Sequence, residues 1–343
     1  MGHELRAMDV KRYRLRPFGE GDFEALGRLL TERSPELPTT AHEAREWDET
    51  LARARLLDEK WAVEERATGE IIAVAALNHA LYSYDPHKFW SLVLVDARHS
   101  HQGVGQALAA LLNAEAVEHR AVCFWTTIRK EDERSHRFAA QQGFRTLRTT
   151  RMSVLDLSAP PPAATEGDRS ERLRRDGVRF TTLAEEGYRR PEVRRRLYDL
   201  WTVASRDVPR MGEYVPVSFE QFEAEIDRSS ILPEAFFLAG HGDTYVASTH
   251  LERNLAESDT LMVGFTATRA DFRGRGLATE LKQRSIDYAR RQGVRQLKTF
   301  NDVANEPILR INEQLGFRPA FEISNLQRDF APGPPPTTKG ASP

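Results

Sequence analysis

Cysteine is almost absent from this chain: of 343 residues only Cys123 carries a thiol, so no intrachain disulfide can form, which fits a reducing, cytoplasmic setting. Cys123 lies in the apolar run Ala121-Val122-Cys123-Phe124-Trp125, which reads as a buried strand. Reactive thiols need polar, thiolate-stabilising surroundings, so the residue is expected to be structural. Apolar runs long enough to span a bilayer are also lacking, and the first residues have no apolar core of the kind that marks a secretory signal. Excess charge of one sign is missing as well. Lys and Arg number 49 against 51 Asp and Glu, for a net charge of −2, which argues against a polyanion binder, so neither a nucleic acid nor a membrane is an expected partner. The short basic runs at 172–175 and 194–196 read as solvated helix faces. His99 and His101 have a metal-like spacing but no further ligand cluster around them, so no metal site is expected. Trp61, Trp90, Trp125 and Trp201 are expected in the core.

What is present begins with Phe272-Arg273-Gly274-Arg275-Gly276-Leu277-Ala278-Thr279. This reads as a glycine turn opening a helix. Amides at a helix start lack intrahelical partners, and the helix dipole places partial positive charge there. Glycine lets a ligand come close to the backbone, so the turn can seat a phosphate or diphosphate. A related turn, Gln102-Gly103-Val104-Gly105, lies upstream at an offset of 173 positions (276 − 103). Gly143-Phe144-Arg145 and Gly316-Phe317-Arg318 keep that offset, as do Gly69 with Gly242, Leu108 with Leu281 and Thr126 with Thr299. The period is far too long for a solenoid, and it reads as duplication of a whole domain.

The expected organisation is an N-terminal domain over 1–157, an unstructured linker over 158–177, a C-terminal domain over 178–330 and a loose tail over 331–343. Each half shows the same order: a strand (Tyr13 to Pro17; Val178 to Thr182), helical segments, a hairpin, another strand (Phe89 to Val95; Leu261 to Thr268), the glycine turn with its helix, a strand, a helix and a last strand. This predicts an α/β fold, mixed sheets with helices, in two tandem copies.

Three ligands compete for the second turn. A P-loop would need Gly-Lys-Ser/Thr, which is absent. A dinucleotide fingerprint would need its third small residue elsewhere and a position near the start of the domain. Arg273-x-x-Gly276-x-Ala278 has the form Gln/Arg-x-x-Gly-x-Gly/Ala, and with the hairpin before it and Leu315-Gly316-Phe317 after it the chain resembles the GNAT N-acetyltransferases in both halves. The duplication resembles the layout of the mycothiol synthases, and the acceptor does not transfer with that likeness.

The resemblance implies acetyl-CoA as acetyl donor and direct transfer to a primary amine of a small molecule or a protein. A non-catalytic CoA-binding or scaffolding protein is the alternative. Arg273, Gly274, Arg275, Gly276, Leu277 and Ala278 would take the diphosphate, and Phe265, Thr266, Ala267 and Thr268 would offer backbone amides to the pantetheine and thioester. Asn305 would contact the carrier's arm. Ser100, Gln102 and Asp132 replace Arg273, Arg275 and Asn305 in the first copy, so the C-terminal copy is expected to be catalytic and the first copy degenerate. At the position where many relatives have a proton-donating tyrosine stand Ala139 and Asn312. Asn312 can hydrogen-bond the sulfur but cannot act as an acid. Among the groups weighed as proton acceptor (Glu257, Asp259, Asp302, His250 and Glu252), Asp259 is the leading expectation, and Asn301, at the end of the splayed strand where a substrate could meet it, is placed with it in the catalytic set. Lys282, one turn into the helix, is expected to face solvent.

Overall fold

The computed structural model describes residues 8–158 apart from Tyr82, and 166–330, with side chains described from 169 in the second segment; the expected tail lies outside the described residues. The strands are β1 (Tyr13–Pro17), β2 (Asp58–Glu65), β3 (Ile71–His79), β4 (Lys88–Val95), β5 (Cys123–Arg129), β6 (Arg145–Asp156), β7 (Val178–Thr182), β8 (Ile231–His241), β9 (Thr244–Arg253), β10 (Thr260–Val263), β11 (Ala267–Thr268), β12 (Gln296–Asp302) and β13 (Arg318–Asp329). The helices are α1 (Phe23–Arg33), α2 (Ala41–Arg53), α3 (Val104–Glu118), α4 (Glu133–Gln141), α5 (Glu166–Arg175), α6 (Leu183–Glu186), α7 (Pro191–Ala204), α8 (Phe219–Ile226), α9 (Leu277–Arg291) and α10 (Glu306–Gln314).

Local signals set the helix starts. Thr40 Oγ1 accepts from the Glu43 amide at 3.1 Å while the Glu43 carboxylate accepts from the Thr40 amide at 2.8 Å, a reciprocal cap. Ser218 and Gln221 do the same for α8, and Pro191 opens α7 where its missing N–H costs nothing. On one face of the sheet Leu277, Leu281 and Ala289 of α9 cover Val246, Leu251 and Leu297, as Val104, Leu108 and Leu112 of α3 cover Ile72, Phe89 and Phe124. On the other face of the second half, Leu197, Trp201 and Phe222 of α7 and α8 cover Phe236 and Leu238.

The two halves share one sheet, ordered β1-β2-β3-β4-β5-β13-β6-β12-β10-β9-β8-β7, with β11 pairing β9. They exchange their last strands. β13 pairs β5 of the first half, Asp329 opposite Cys123, and β6 pairs β12 of the second, Asp156 opposite Gln296. β6 and β13 meet antiparallel at the centre. Each half therefore relies on the other to cover an edge that would otherwise be open.

Two expectations are corrected. The expected linker is not wholly unstructured. Residues 166–175 form α5, and Leu173, fully buried, joins the second half's core, a burial that contributes about 1.5–3 kcal/mol; residues 159–165 lie outside the described residues. The expected strand Leu261 to Thr268 is broken. Val263 pairs Leu251 while Ala267 pairs Ser248, so four steps on one strand oppose three on the other. One extra residue is accommodated at Gly264-Phe265-Thr266, as in a bulge.

Candidate active site

In each half two parallel strands start as partners and then part. β4 and β5 pair only from Lys88↔Cys123 to Trp90↔Trp125, and Ser91 Oγ bridges to the Trp125 carbonyl at 3.1 Å where they separate. β10 and β12 pair from Thr260↔Gln296 to Val263↔Thr299 and part at the break. A helix begins beside each opening. Gly103 and Gly276 cap α3 and α9 in the left-handed conformation, at φ 78° and 87°, and neither helix has a side-chain cap. The first amides of both helices are thus left for a ligand.

The first opening is a cleft of about 750 Å³ lined by β4, β5, Gly103, Gly105, Phe138 and Ala139. Arg33, Arg134, Arg137 and Arg328 stand along it. Arg328 comes from the exchanged β13 and donates to Asn113 Oδ1 at 2.6 Å. β4 runs unbroken against β3, and Asp132 is engaged as the cap of α4, accepting from the Ser135 amide at 3.0 Å.

The second opening differs at each of these points. Its strand is interrupted at 264–266, beside Thr249 and Thr266, whose hydroxyls lie 2.8 Å apart. Ala267 is buried, and the Thr268 hydroxyl is buried without a partner. Arg273, Gly274 and Arg275 are exposed at the turn. Arg273 pairs with Asp207 at 2.6 Å; both side chains are about half exposed, so the pair contributes little and can be traded for a phosphate. Arg275 donates to the Asp271 carbonyl and lies over Phe272. Leu277 packs into the core beneath the turn, Ala278 follows on the helix, and Arg169 of α5 lies against Gly276. Asn305 heads α10 without spending its side chain as a cap. Asn312 is buried, donates to Asn301 Oδ1 at 2.7 Å, and leaves its own Oδ1 without a partner. The structure thus brings Asn301 and Asn312 into one hydrogen-bonded pair and puts Gly276 at the start of the helix that follows the broken strand.

Asp259 is a correction. It sits at the start of β10, the end remote from the break, and the Arg295 guanidinium at 2.8 Å holds its carboxyl below the usual range. Other acids are engaged too. Glu257 pairs with Lys298, and Asp302 accepts from Arg148 at 2.7 Å and from the Ala304 amide. Lys282 also departs from expectation. It is 1% exposed, its ammonium nitrogen lies 5.4 Å from the centre of the Phe317 ring, and burial pushes its pKa down to about 7. Its counterpart at the same offset is Ala109, which lines the first cleft.

His250 and Glu252, weighed in the sequence as proton acceptors at the end of the hairpin but not leading ones, are at the break. His250 Nε2 lies 2.9 Å from Glu252 Oε1. A Cβ placed on Gly264 would meet that nitrogen at 2.1 Å, so only glycine leaves room for the pair. The signal available in sequence was their i, i+2 spacing, which puts both on one face of a strand. Arg169 and Arg328 had no such signal, because each reaches its site from a distant segment. A smaller cleft of about 330 Å³ lies between the halves, lined by Glu43, Glu46 and Trp47 of the first and Arg228, Glu252 and Met262 of the second. The segment from Arg206 to Gly212 is an interdomain contact: Met211 is buried with Ala80, Cys123 and Trp125. Cys123 is itself buried, and that burial pushes its thiol up to about 12. His99 is a core residue bonded to the Tyr13 hydroxyl at 2.9 Å. Among the described residues no helix is long and apolar enough to cross a membrane.

The arrangement of strands and glycine turns has known counterparts. Over 94% of its length the chain is similar to a GCN5-related N-acetyltransferase from Sphaerobacter thermophilus, at 21% identity and a TM-score of 0.70, covering 97% of that chain. It is also similar over 94% of its length to a tandem GNAT protein from the clavulanic acid biosynthesis pathway, at 19% identity and a TM-score of 0.68, covering 100% of that chain. At these identities the likeness establishes the fold. A curated relative, N-alpha-acetyltransferase 30 of Schizosaccharomyces pombe, is 29% identical over 87 residues, a quarter of this chain and 58% of that protein. The acetyltransferase (GNAT) family model matches twice, over residues 24–144 and 195–317. With both halves matched, the chain belongs to the acetyltransferase (GNAT) family, whose general activity is acetyl-CoA-dependent transfer to an amine.

Proposed function

We propose that this chain acetylates a small primary amine with acetyl-CoA and that the reaction takes place in its C-terminal half. The observation that supports this assignment is the break at 264–266, which the first half lacks. A strand freed from its ladder presents amides to a thioester oxygen, and donors fixed in advance stabilise the oxyanion that develops there. Phe265 and Thr266 lie in that stretch and Ala267 and Thr268 follow where pairing resumes, with Gly274 to Ala278 receiving the diphosphate through amides and Arg273 adding charge. Asn305 contacts the carrier's arm. Asn312, held by Asn301, has an acceptor free for the CoA thiol once the sulfur has been protonated, and no proton of its own to give it.

The cleft of the first half has the size and the arginine-lined rim to hold a second carrier without turning it over. The acceptor reaches the break by way of the cleft between the halves, whose volume of about 330 Å³ suits a small molecule. The likeness to mycothiol synthases stays one of layout. A cytoplasmic setting belongs with this reading.

Thiol release from acetyl-CoA, measured across a panel of amines, tests it. Arg273→Glu puts a like charge beside the diphosphate and should raise KM for acetyl-CoA at least about tenfold, the weight of one charged hydrogen bond. Equal kinetics in Arg273→Glu together with loss of turnover in Gly105→Glu would move the reaction to the first half. Tight CoA binding with no turnover on any amine would favour the scaffolding alternative.

A further inference from the structure

Direct transfer needs a group that takes a proton from the incoming amine, which is mostly an ammonium ion near neutral pH. The carboxylates flanking the second opening are spent on Arg295, Lys298 and Arg148. His250 is different. It is 2% exposed, and its Nδ1 is buried with no hydrogen-bond partner. Its Nε2 faces the Glu252 carboxylate, which accepts and so holds the proton on Nε2. That tautomer leaves Nδ1 as a bare lone pair. The Nε2–Cε1 edge of the ring meets Gly264, the first residue of the break, and the ring face stacks on Phe236 at 4.6 Å between centroids and on Trp201 at 5.6 Å.

We infer that His250 is the proton acceptor of the reaction, with Glu252 as its positioning residue; this rests on the placement of the reaction in the C-terminal half. His250 Nδ1 takes one proton from the ammonium, directly or through one water. The freed nitrogen forms its bond to the thioester carbon as the carbon–sulfur bond breaks. The second proton lost by nitrogen goes to the departing thiolate, giving CoA thiol, and His250 returns its proton to water.

The charged groups around the ring are few. On its own strand stands Glu252. Burial alone would raise that carboxyl, but the bond to His250 and the Arg228 guanidinium hold it below the usual range. From the end of α8, Arg228 reaches both Glu252 at 3.1 Å and Glu225 at 2.8 Å. Glu225 is pushed up by burial. Phe236 of β8, Trp201 of α7 and Gly264 contribute no charge. Glu252 also lines the cleft between the halves, so the pair joins the break to the acceptor's path. The first half has Leu77 and His79 at the same offset and so has no such pair.

His250→Gln keeps an N–H donor toward Glu252 and removes the basic atom. In the full chain it should lower kcat/KM for the amine about 100-fold or more at neutral pH, the loss shrinking as pH rises and free amine grows, with acetyl-CoA affinity within about twofold of the parent, a margin far below the tenfold effect of one charged contact. Glu252→Gln should lower kcat about tenfold or more while leaving acetyl-CoA affinity unchanged, because the amide no longer holds the imidazole in one tautomer. That split of kcat from acetyl-CoA affinity decides the matter if His250→Gln does not fold. Parental kinetics and an unchanged pH profile in His250→Gln, with Arg273→Glu still raising KM, would overturn the base alone. Loss of turnover from Gly105→Glu but not from Arg273→Glu would overturn the placement and the base together.

Discussion

Gly264→Ala is the smallest change with the largest expected consequence. The backbone there lies outside the left-handed region, so the substitution costs no dihedral strain, only space. The new methyl would sit 2.1 Å from His250 Nε2, 2.6 Å from its Cε1 and 2.7 Å from Glu252 Oε1. Carbon contacts are comfortable near 3.5–4.0 Å, so His250 or Glu252 must move by more than an ångström. Neither can move freely: the imidazole is stacked on Phe236, and Glu252 is bonded to Arg228. Overpacking costs about 1–3 kcal/mol, and loss of a charged hydrogen bond a further 1.5–3 kcal/mol or so. Allowing for partial relaxation, about 3 kcal/mol is expected, a Tm drop of several degrees. Turnover should fall with it, because the break and the His–Glu pair are displaced together. Thermal denaturation and thiol release on the same preparation read both effects. A Gly264→Ala protein as stable and as active as the parent would refute the contact and, with it, the claim that the pair is wedged against the break.

Lys282→Met should stabilise the protein in a pH-dependent way. Burial lowers the ammonium to about 7 in the folded state against about 10.4 unfolded. The folded state is therefore penalised at low pH, and the penalty fades as pH rises from about 7 to 10. Denaturant titration at pH 6 should show the variant more stable by on the order of 4 kcal/mol, with little difference at pH 10; equal gains at both would contradict the buried charge. Cys123, buried with its thiol pushed up to about 12, should resist iodoacetamide at pH 8 until denaturant is added; rapid native alkylation, followed by mass, would contradict that burial. The halves should not separate cleanly. A fragment ending after Asp156 lacks β13 beside β5 and β12 beside β6, and should aggregate or pair with itself unless residues 158–330 are supplied. A monomeric, cooperatively folding first fragment by ultracentrifugation and calorimetry would show the exchange to be dispensable.

Periodicity and glycine spacing carried much of the fold. The offset of 173 marked the duplication, and the short strands at 13–17 and 178–182 fall where their residues place them. The turn at Gly276 was legible because a left-handed glycine before a helix has a strong local signature. What failed to show depends on distance. Nothing local says that β6 will pair with β12 rather than complete its own half. Leu173 alone, in a stretch of charged residues, was too weak a sign of α5. Asp259 and His250 show the same limit from opposite sides: both are polar residues near strand ends, and only the register of β9 against β10 puts one at the break and the other at the remote edge.

The most direct test of the account is the structure of the full chain with acetyl-CoA bound. The account predicts a diphosphate on the amides of Gly274 to Ala278 and a thioester oxygen at 264–266, with or without a second carrier in the first half. A thioester found only between β4 and β5, with nothing at Gly276, would contradict it.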